Sequence, residues 1–286
     1  MAAKPRVTIV GAGNLATALA TALHRSGYSI DAVIARGSRD SLRKATVLAQ
    51  KIGATAVTAA NLVQIKSKIV WFCVPDGQIS PAARLLAGRG IWEGRVALHS
   101  SGALTRDELS VLRQRGATVA SVHPLMTFVR GSRPSLAGVP FTIEGDLPAV
   151  RLARRMVKDL RGQSFSIKKR DKVAYHAWGT FASPLLTALL ATTERVAAAA
   201  GVSRIAAQKR MLPILAQTIA NYAALGAAGG LSGPILRGDA ETVQKHLRVL
   251  QRTPLAREVY VALAKASLQY LPGKQRMKLK KLLTPI

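Results

Sequence analysis

The sequence predicts an α/β fold, in which a doubly wound and mostly parallel sheet is followed by an all-helical C-terminal domain. Short apolar segments with strand composition alternate with helical segments over the first half of the 286 residues. A glycine turn joins the first of these strands to the first helix. Farther along, the chain becomes rich in Ala and Leu with helical periodicity. We therefore expect two domains, at residues 1–167 and 168–286.

The first strand, helix and turn are read from the segment RVTIVGAGNLA, residues 6–16. Gly11 would make the tight turn, Gly13 would let a pyrophosphate approach the backbone, and Ala16 is small enough for close helix–strand packing. The segment therefore predicts a Rossmann dinucleotide-binding domain, although an ordinary strand-to-helix connection is the alternative. The residues expected to hold the pyrophosphate at the helix N-terminus are Gly11, Gly13, Asn14 and Leu15.

The second strand, at 29–35, carries the information on cofactor type. NAD sites usually have an acidic residue at the end of this strand, which accepts bonds from the ribose 2′-hydroxyl. Here Asp31 lies too early, and Arg36 and Arg39 follow the strand instead. Because arginines can form charge-assisted bonds to a 2′-phosphate, we predict NADP (NADPH) as the cofactor. The alternative is that both arginines are solvated surface charges.

The remaining elements of the first domain continue the alternation. A capping box, Thr105-x-x-Glu108, is expected to open one of the helices. Further strands are expected at 54–57, 68–74, 94–99, 117–122 and 140–143, with an edge strand at 163–167. Helices are expected at 41–52, 79–86, 105–115 and 148–160.

Polar residues follow three of these strands. They form the segments Val74-Pro75-Asp76, His99-Ser100-Ser101-Gly102 and Ser121-Val122-His123-Pro124. In an open parallel sheet the ligand lies beyond the carboxyl ends of the strands, so all three segments should border one crevice. We expect at least one of His99, Ser101 and His123 to contact the nicotinamide or the substrate; the alternative is that they are satisfied structural residues. No spacing resembles a zinc site, so no metal is predicted, and G-x-S-x-G is absent.

The second half is predicted to be helical, with segments at 172–200, 203–225, 240–250 and 256–270 and a kink at Pro213. Tyr175 and Ser183 lie eight residues apart and could share a helix face directed at the substrate. Tyr175 and Trp178 could equally pack a domain interface. In the glycine-rich loop 231–239, Arg237 could pair with an anionic group, or the loop could simply turn the chain.

Composition narrows the class of protein. The formal charge is +28, from 42 Lys and Arg against 14 Asp and Glu, and it is spread over nearly every segment. Aromatic residues make up only 5%, so no base-stacking platform is indicated, and nucleic-acid binding stays an alternative suggested by charge alone. The one cysteine, Cys73, lies in an apolar run, and the N-terminus shows no secretory segment. We expect a cytoplasmic protein with no membrane span.

Seven motifs in register resemble a known family. They are GAGNLA, VPD at 74–76, HSSGAL at 99–104, SVHPLMTF at 121–128, FTIEGD at 141–146, YHA and FAS at 175–183, and SGPILRGDAETVQKHL at 232–247. Together they resemble bacterial Rossmann-like proteins with a C-terminal helical domain of unknown function, which are similar to pyrroline-5-carboxylate reductases and, more distantly, to the 6-phosphogluconate dehydrogenase group.

The resemblance implies an NADP-type reductase whose helical domain often mediates dimerisation, and some members look like alternative ketopantoate reductases. Two positions depart from the family pattern. Met126 stands where the family usually has Gln, and Pro184 stands where it usually has Asn. Because that Asn is a plausible catalytic or substrate-orienting amide in relatives, its absence puts the transfer of a particular substrate in doubt.

We therefore expect an NADP-dependent oxidoreductase that transfers a hydride to a small, anionic carbonyl or imine compound and forms a homodimer. Val74 and Pro75 would pack near the nicotinamide ribose. Ser101, His99 and His123 would line the reactive end. His123 or Tyr175 would donate the proton, and Ser183 and Arg237 would bind the substrate. The alternatives are an NADP-binding sensor or partner protein without turnover, and a basic protein associated with nucleic acid.

Overall fold

The computed structural model describes residues 3–132 and 134–284. Its backbone contacts divide the chain into two compact units, residues 1–180 and residues 181–286. The division falls later than the expected boundary at 167/168. The first turns of the helix that begins at Lys172 belong to the first unit, because the Lys172 side chain is buried there.

The first unit is built on one eight-stranded sheet with the order β3-β2-β1-β4-β5-β6-β7-β8. Every neighbouring pair is parallel except β6 and β7, which are antiparallel. The strands are β1 Val7–Val10, β2 Ile30–Ala35, β3 Thr55–Thr58, β4 Ile69–Phe72, β5 Val96–His99, β6 Thr118–Pro124, β7 Pro140–Gly145 and β8 Gln163–Ser166.

The helices of the first unit cover both faces of this sheet. Successive strand residues point to opposite faces, so Ile9 and Trp71 belong to one apolar cluster while Val10 and Phe72 belong to the other. The helices are α1 Asn14–Arg25, α2 Arg39–Ile52, α3 Ile79–Leu86, α4 Ser110–Arg113, α5 Leu147–Asp159 and α6 Lys172–Thr180. Short 3₁₀ helices lie at Asp76–Gln78, Arg106–Leu109 and Lys169–Asp171. The predicted doubly wound fold is confirmed.

The capping box expected at Thr105 forms differently. The Thr105 hydroxyl accepts the backbone N–H of Asp107, and the first turn is a 3₁₀ helix that passes into the short α4. In a 3₁₀ turn the bonds run from residue i+3 to residue i, and the Glu108 N–H donates to the Thr105 carbonyl, so the Thr105 hydroxyl accepts from Asp107 and not from Glu108.

The strand order creates a crevice for a ligand. β1 lies between β2 and β4, so the connections that follow β1 and β4 leave the sheet in opposite directions. Such a switch point opens a crevice at the carboxyl ends of the strands. It brings the turn at Gly11 and the segment at Val74 to the same edge of the sheet.

The second unit is helical. Its elements are a π-helical turn Phe181–Leu185, α7 Leu186–Ala199, α8 Arg204–Gly230, α9 Pro234–Arg237, α10 Ala240–Val249, a 3₁₀ helix Leu250–Arg252, α11 Pro254–Tyr270 and α12 Arg276–Leu283. A small core joins α10, α11 and α12 through Val243, Leu247, Leu268 and Leu279.

Two expectations for the helical half need correction. The segment 172–200 is not one regular helix, because the π-helical turn containing Pro184 interrupts it; proline lacks the N–H that a continuous α-helix requires. In α8 the backbone leaves helical dihedrals at Gly226, where φ is 69°, and not at Pro213. Glycine adopts this conformation at little steric cost.

The helix α8 exposes an unusual amount of apolar surface. Ile205, Leu212 and Ile219 recur every seven residues and are each more than half exposed. Averaged over 18 residues, a window within residues 204–237 reaches a mean hydropathy of 1.2, and none of it is buried. By length and composition alone this helix could cross a membrane. Such a helix was not predicted from the sequence, because polar residues interrupt its apolar runs.

Candidate functional site

A cavity of about 460 Å³ lies at the crevice edge of the sheet. The glycine turn, the segment after β2 and the segment after β4 border it together, whereas no residue of the polar segments 99–102 and 121–124 lines it. Its lining includes Gly11, Ala12 and Gly13 of the first turn; Arg36, Gly37, Ser38, Asp40, Ser41 and Lys44 after β2; and Cys73, Val74 and Pro75 after β4.

The glycine turn is shaped by close contact with β4. Gly11 has φ of 105°, and a Cβ atom on it would lie 2.5 Å from the carbonyl oxygen of Cys73. Any side chain there would collide with backbone, so the turn requires glycine. At Gly13 the corresponding space is open, and no side chain caps the N-terminus of α1. A pyrophosphate therefore fits this position, where the helix presents N–H groups and a positive dipole end.

Asn14 and Leu15 do not line the cavity. The Asn14 amide instead donates to the carbonyl oxygen of Phe128 at 3.1 Å, which ties α1 to the segment after β6. Their backbone N–H groups still belong to the first turn of α1, so pyrophosphate binding through the backbone stays a prediction for both residues.

The end of the cavity beyond β2 is cationic, but its cations differ from those expected. Arg36 lines the cavity, whereas Arg39 does not. Lys44, which lies one helical turn after Asp40 in α2, also lines the cavity. It was not among the residues named from the sequence. Its signal was the i, i+4 spacing from Asp40, with which it forms an ion pair at 2.5 Å.

Ser101 and Asp76 connect two of the strand-end segments. The Ser101 hydroxyl donates to Oδ2 of Asp76 at 2.8 Å and accepts the backbone N–H of Leu104 at 2.9 Å. Both interactions use the hydroxyl to hold the loop after β5 against the segment after β4. Ser101 is only 4% exposed.

His99 is completely buried, and both of its ring nitrogens are used. Nε2 lies 2.9 Å from the carbonyl oxygen of Thr105, and Nδ1 accepts the backbone N–H of Ser101 at 3.2 Å. This pattern requires a neutral ring with the proton on Nε2. Burial, aided by the charge of Lys172, lowers the pKa of His99 to about 4. The geometry makes His99 a support for the loop and leaves no ring nitrogen for a ligand.

Lys172, the first residue of α6, is the main functional candidate that sequence reasoning missed. Its side chain is fully buried, and Nζ donates to the Ser121 hydroxyl at 2.8 Å and to the carbonyl oxygen of Ser101 at 3.2 Å. Burial lowers the pKa of Lys172 to about 8, opposed by the charges of Glu144 and Asp76. A lysine among many basic residues gives no sequence signal of burial, because burial depends on which strand ends surround it.

His123 and Tyr175 form a pair. Nδ1 of His123 lies 3.1 Å from the Tyr175 hydroxyl, and the two rings pack edge to face. Burial, followed by the charge of Lys172, lowers the pKa of His123 to about 4, so the ring is neutral at pH 7. Burial raises the pKa of Tyr175 and keeps its phenol protonated, although a hydrogen bond with Thr142 acts in the opposite direction. Sequence reasoning had named both residues but not their contact.

Gly102 explains how this pair fits beside the loop after β5. A Cβ atom on Gly102 would lie 2.8 Å from the His176 ring and 3.0 Å from Nε2 of His123. The glycine therefore lets the backbone pass closely beside both imidazoles, which places the Ser101 loop and the His123–Tyr175 pair in one cluster.

The other named residues belong to different surroundings. Ser183 lies half-buried in the π-helical turn, and Arg237 is exposed at the end of α9, both within the second unit. Their roles in substrate binding stay predictions. Trp178 is 60% exposed and packs its ring against that of Tyr175. Within residues 3–132 and 134–284, no group of three or more His, Cys, Asp or Glu side chains is arranged to hold a metal ion.

Comparison with known proteins identifies two domains along the chain. Residues 1–124 match the Rossmann-like domain family, and residues 139–267 match a domain of unknown function, DUF2520. A search of curated proteins finds no match. The resemblance to Rossmann-like proteins with a C-terminal helical domain of unknown function is thereby confirmed.

Solved structures share the fold over nearly the whole chain. A protein assigned as an NADP oxidoreductase from Bacteroides fragilis is 21% identical with a TM-score of 0.76, covering 92% of this chain and 97% of that one. A Thermotoga maritima protein is 22% identical with a TM-score of 0.69, covering 97% and 100%. A reductive aminase from Aspergillus terreus, solved with NADPH and ethyl-5-oxohexanoate, is 17% identical with a TM-score of 0.64, covering 98% and 100%. These likenesses establish a common architecture.

The buried Lys172 predicts an unusual pH dependence of stability. In the folded protein its pKa is about 8, against an ordinary value of 10.5, so between these two pH values the unfolded chain binds more protons and the fold gains stability as pH rises. We expect the free energy of unfolding of Lys172→Met, relative to that of the wild type, to increase by about 2–3 kcal/mol when the pH falls from 10 to 7. Urea unfolding of both proteins at the two pH values measures this difference.

The matched control is Lys51→Met, because Lys51 is an exposed lysine in the last turn of α2. It should show the same stability difference from wild type at both pH values. An equally pH-independent difference for Lys172→Met would contradict the burial of a charged ammonium at this position.

Proposed function

We propose, for this chain that joins a Rossmann-like domain to a DUF2520 domain, that it is an NADPH-dependent reductase of a small carbonyl or imine compound. The observation that carries the proposal is the cavity in the first unit. The glycine turn at Gly11 and Gly13 follows the strand β1. Arg36 follows β2 on one side of it, and Val74 and Pro75 follow β4 on the other. From Arg36 through the turn to Val74, this arrangement matches the succession of 2′-phosphate, pyrophosphate and nicotinamide riboside along a dinucleotide.

The chain's own residues suit each part of the cofactor. The N-terminus of α1 would hold the pyrophosphate through backbone N–H groups, next to Gly11 and Gly13. The Arg36 guanidinium would bind the 2′-phosphate. Val74 and Pro75 would pack against the nicotinamide ribose. When bound, the reduced nicotinamide supplies a hydride to the substrate. The protein then has to bind the acceptor, exclude water and provide a proton.

Tyr175 is the proton donor that the geometry favours. Its phenol is protonated at neutral pH, whereas His123, with a pKa of about 4, is a neutral ring that holds no extra proton. When Nδ1 of His123 is protonated, it donates to the phenol oxygen and leaves the phenol proton free for the acceptor atom. The Lys172 ammonium contributes indirectly, since its charge helps to lower the pKa of His123 and so to keep that ring neutral beside the phenol. His99 and Ser101 would act by positioning the loop after β5.

The substrate is proposed only as a class. Structural likeness to the reductive aminase supports an imine or carbonyl acceptor, and a keto acid similar to ketopantoate is compatible with the resemblance described above. An anionic substrate suits the net charge of +28. Arg237 and Ser183 stay proposed substrate contacts.

A binding protein without turnover is the second candidate. Pro184 occupies the π-helical turn and Met126 is 40% exposed after β6. In related proteins amide side chains are expected at these two positions, and neither Pro nor Met can donate a hydrogen bond to a substrate. The protein would then bind NADPH as a signal.

A homodimer through the helical unit is also proposed. The stripe formed by Ile205, Leu212 and Ile219 on α8 is a row of large apolar side chains in water, and burying it against a second copy would stabilise the pair. The apolar character of α8 is then that of a subunit interface and not that of a membrane span. A cytoplasmic location stays an expectation from the sequence.

The cofactor proposal predicts a selective effect of Arg36→Ala. Loss of a charge-assisted bond to the 2′-phosphate should weaken NADPH binding about tenfold or more, while NADH binding changes less than about twofold. Calorimetric titration of both cofactors measures this. Arg39→Ala, which removes an arginine that does not line the cavity, should have a smaller effect. Equal effects of Arg36→Ala on NADPH and NADH would refute the assignment.

The proton-donor assignment predicts a rate effect of Tyr175→Phe. With whichever keto acid, imine or aldehyde supports NADPH oxidation, kcat should fall about 100-fold while the Kd for NADPH stays unchanged. Tyr28→Phe is the matched control, since Tyr28 is a buried tyrosine whose hydroxyl also makes a side-chain hydrogen bond, to Asp159 at 2.8 Å. Retained turnover in Tyr175→Phe would exclude this role. If the wild type oxidises NADPH with none of the keto acids, imines and aldehydes tested, the second candidate function, a binding protein without turnover, is favoured.

The dimer predicts an effect of charge placed on the apolar stripe. Leu212→Glu with Ile219→Glu should convert a dimer to a monomer in sedimentation equilibrium, because two charges cannot be buried unpaired. Gln217→Glu adds one such charge on the other side of α8, at 100° per residue, and should leave the dimer intact. A monomeric wild type at tens of micromolar would contradict the proposal.

A further inference from the structure

A carboxylate lies at the cationic end of the cavity. Asp40, in the first turn of α2, lines the cavity together with Arg36 and Lys44. A site for a 2′-phosphate, which carries between one and two negative charges, gains nothing from a neighbouring carboxylate. Asp40 is therefore expected to affect which of two related ligands, with and without a 2′-phosphate, the cavity prefers.

Asp40 is engaged with two cations of its own helix. Its Oδ2 lies 2.5 Å from Nζ of Lys44, and its Oδ1 lies 3.0 Å from a guanidinium nitrogen of Arg43. Of these two cations, only Lys44 borders the cavity. Lys44 is thus within reach of a ligand in the cavity. Its ammonium is already paired with the Asp40 carboxylate. Both side chains are more than half exposed, so the pair can rearrange.

Two hydroxyls complete this end of the cavity. Ser38 accepts the backbone N–H of Ser41, and Ser41 accepts the backbone N–H of Arg36 at 3.0 Å. Each hydroxyl accepts one bond and keeps its own proton to donate to an anion. These bonds also fix the backbone turn that carries Arg36, so the subsite is rigid on this side and adjustable at Lys44.

We propose that Arg36 and Lys44 together form the 2′-phosphate subsite, and that Asp40 is a competing anion built into it, which sets how strongly the protein prefers NADPH over NADH. The inference rests on the proposed cofactor function and adds two specificity-determining residues to it.

The electrostatics give the direction of the effect. A bound 2′-phosphate must share Lys44 with Asp40 and is repelled by the carboxylate, so Asp40 lowers the affinity for NADPH. With NADH the ribose carries a 2′-hydroxyl, which has no charge to repel and can donate to the Asp40 carboxylate. Asp40 therefore reduces the difference in affinity between NADPH and NADH, whereas a subsite that contained only cations would increase it.

The test compares ligands that differ by the 2′-phosphate alone. Kd values for NADPH against NADH, and for 2′,5′-ADP against 5′-AMP, are measured by calorimetry with wild type, Asp40→Asn, Lys44→Ala and the double variant. Asp40→Asn should raise the affinity for NADPH and 2′,5′-ADP about five- to tenfold and leave NADH and 5′-AMP within about twofold. Lys44→Ala should lower the affinity for the two phosphate-bearing ligands about fivefold.

The double variant shows whether Asp40 acts through Lys44. In the Lys44→Ala background, Asp40→Asn should give a smaller gain than in the wild type, because the cavity-lining cation that Asp40 holds is then absent. The charge controls are Glu93→Gln, an exposed acid at the amino end of β5, and Lys51→Ala, at the far end of α2; neither should alter the ratio of the two affinities.

The outcomes separate this inference from the function beneath it. If NADPH and NADH both bind but Asp40→Asn leaves NADPH affinity unchanged or lowers it, the competing-anion role is overturned and the cofactor proposal stands. If Lys44→Ala weakens all four ligands equally, Lys44 is not part of a 2′-phosphate subsite. If the wild type binds neither dinucleotide, the proposed function is overturned, and this inference with it.

Discussion

The buried ammonium of Lys172 is the constraint on which the arrangement of the first unit depends. A cation without a carboxylate in direct contact is expensive to bury, and it is tolerated here because it donates to the Ser121 hydroxyl and to the Ser101 carbonyl. Ser101 follows β5 and Ser121 lies within the adjacent β6, so one side chain holds β5, β6 and the start of α6 together. Burial, followed by the same charge, lowers the pKa of His123 and keeps its ring neutral beside Tyr175. One buried side chain therefore affects both the packing of these elements and the protonation state of His123.

The cavity adds a second constraint, which acts through backbone and not through charge. Gly11 approaches the Cys73 carbonyl so closely that no side chain fits, and this contact brings the turn after β1 against the end of β4. The polar cluster does not line this cavity, but it is joined to the cavity's β4 side through the hydrogen bond between Ser101 and Asp76, the residue after Pro75. An elongated ligand with charge at one end and a reactive group at the other suits this geometry, and a dinucleotide is such a ligand.

Much of this could be predicted from the sequence, because local patterns fix local structure. The strand–turn–helix at Gly11, the alternation that follows and the change to helices were all readable, and the motifs identified the domain combination. Contacts between distant segments were not readable. Lys172 is indistinguishable in sequence from dozens of solvated basic residues, and His99 resembles a catalytic histidine until both ring nitrogens are seen to be used. That Lys44 lines the cavity and Arg39 does not was also unreadable, because the direction of a side chain on α2 depends on where the helix begins.

A crystal structure with bound NADPH tests the central claim most directly. The account predicts the 2′-phosphate beside Arg36 and Lys44, the pyrophosphate at the N-terminus of α1, and the nicotinamide extending past Pro75 toward the His123–Tyr175 pair. The hydroxyl of Tyr175 should then lie near the space in front of nicotinamide C4, where an acceptor would bind. A dinucleotide bound outside this cavity, or one whose nicotinamide lies at the Arg36 end, would contradict the account.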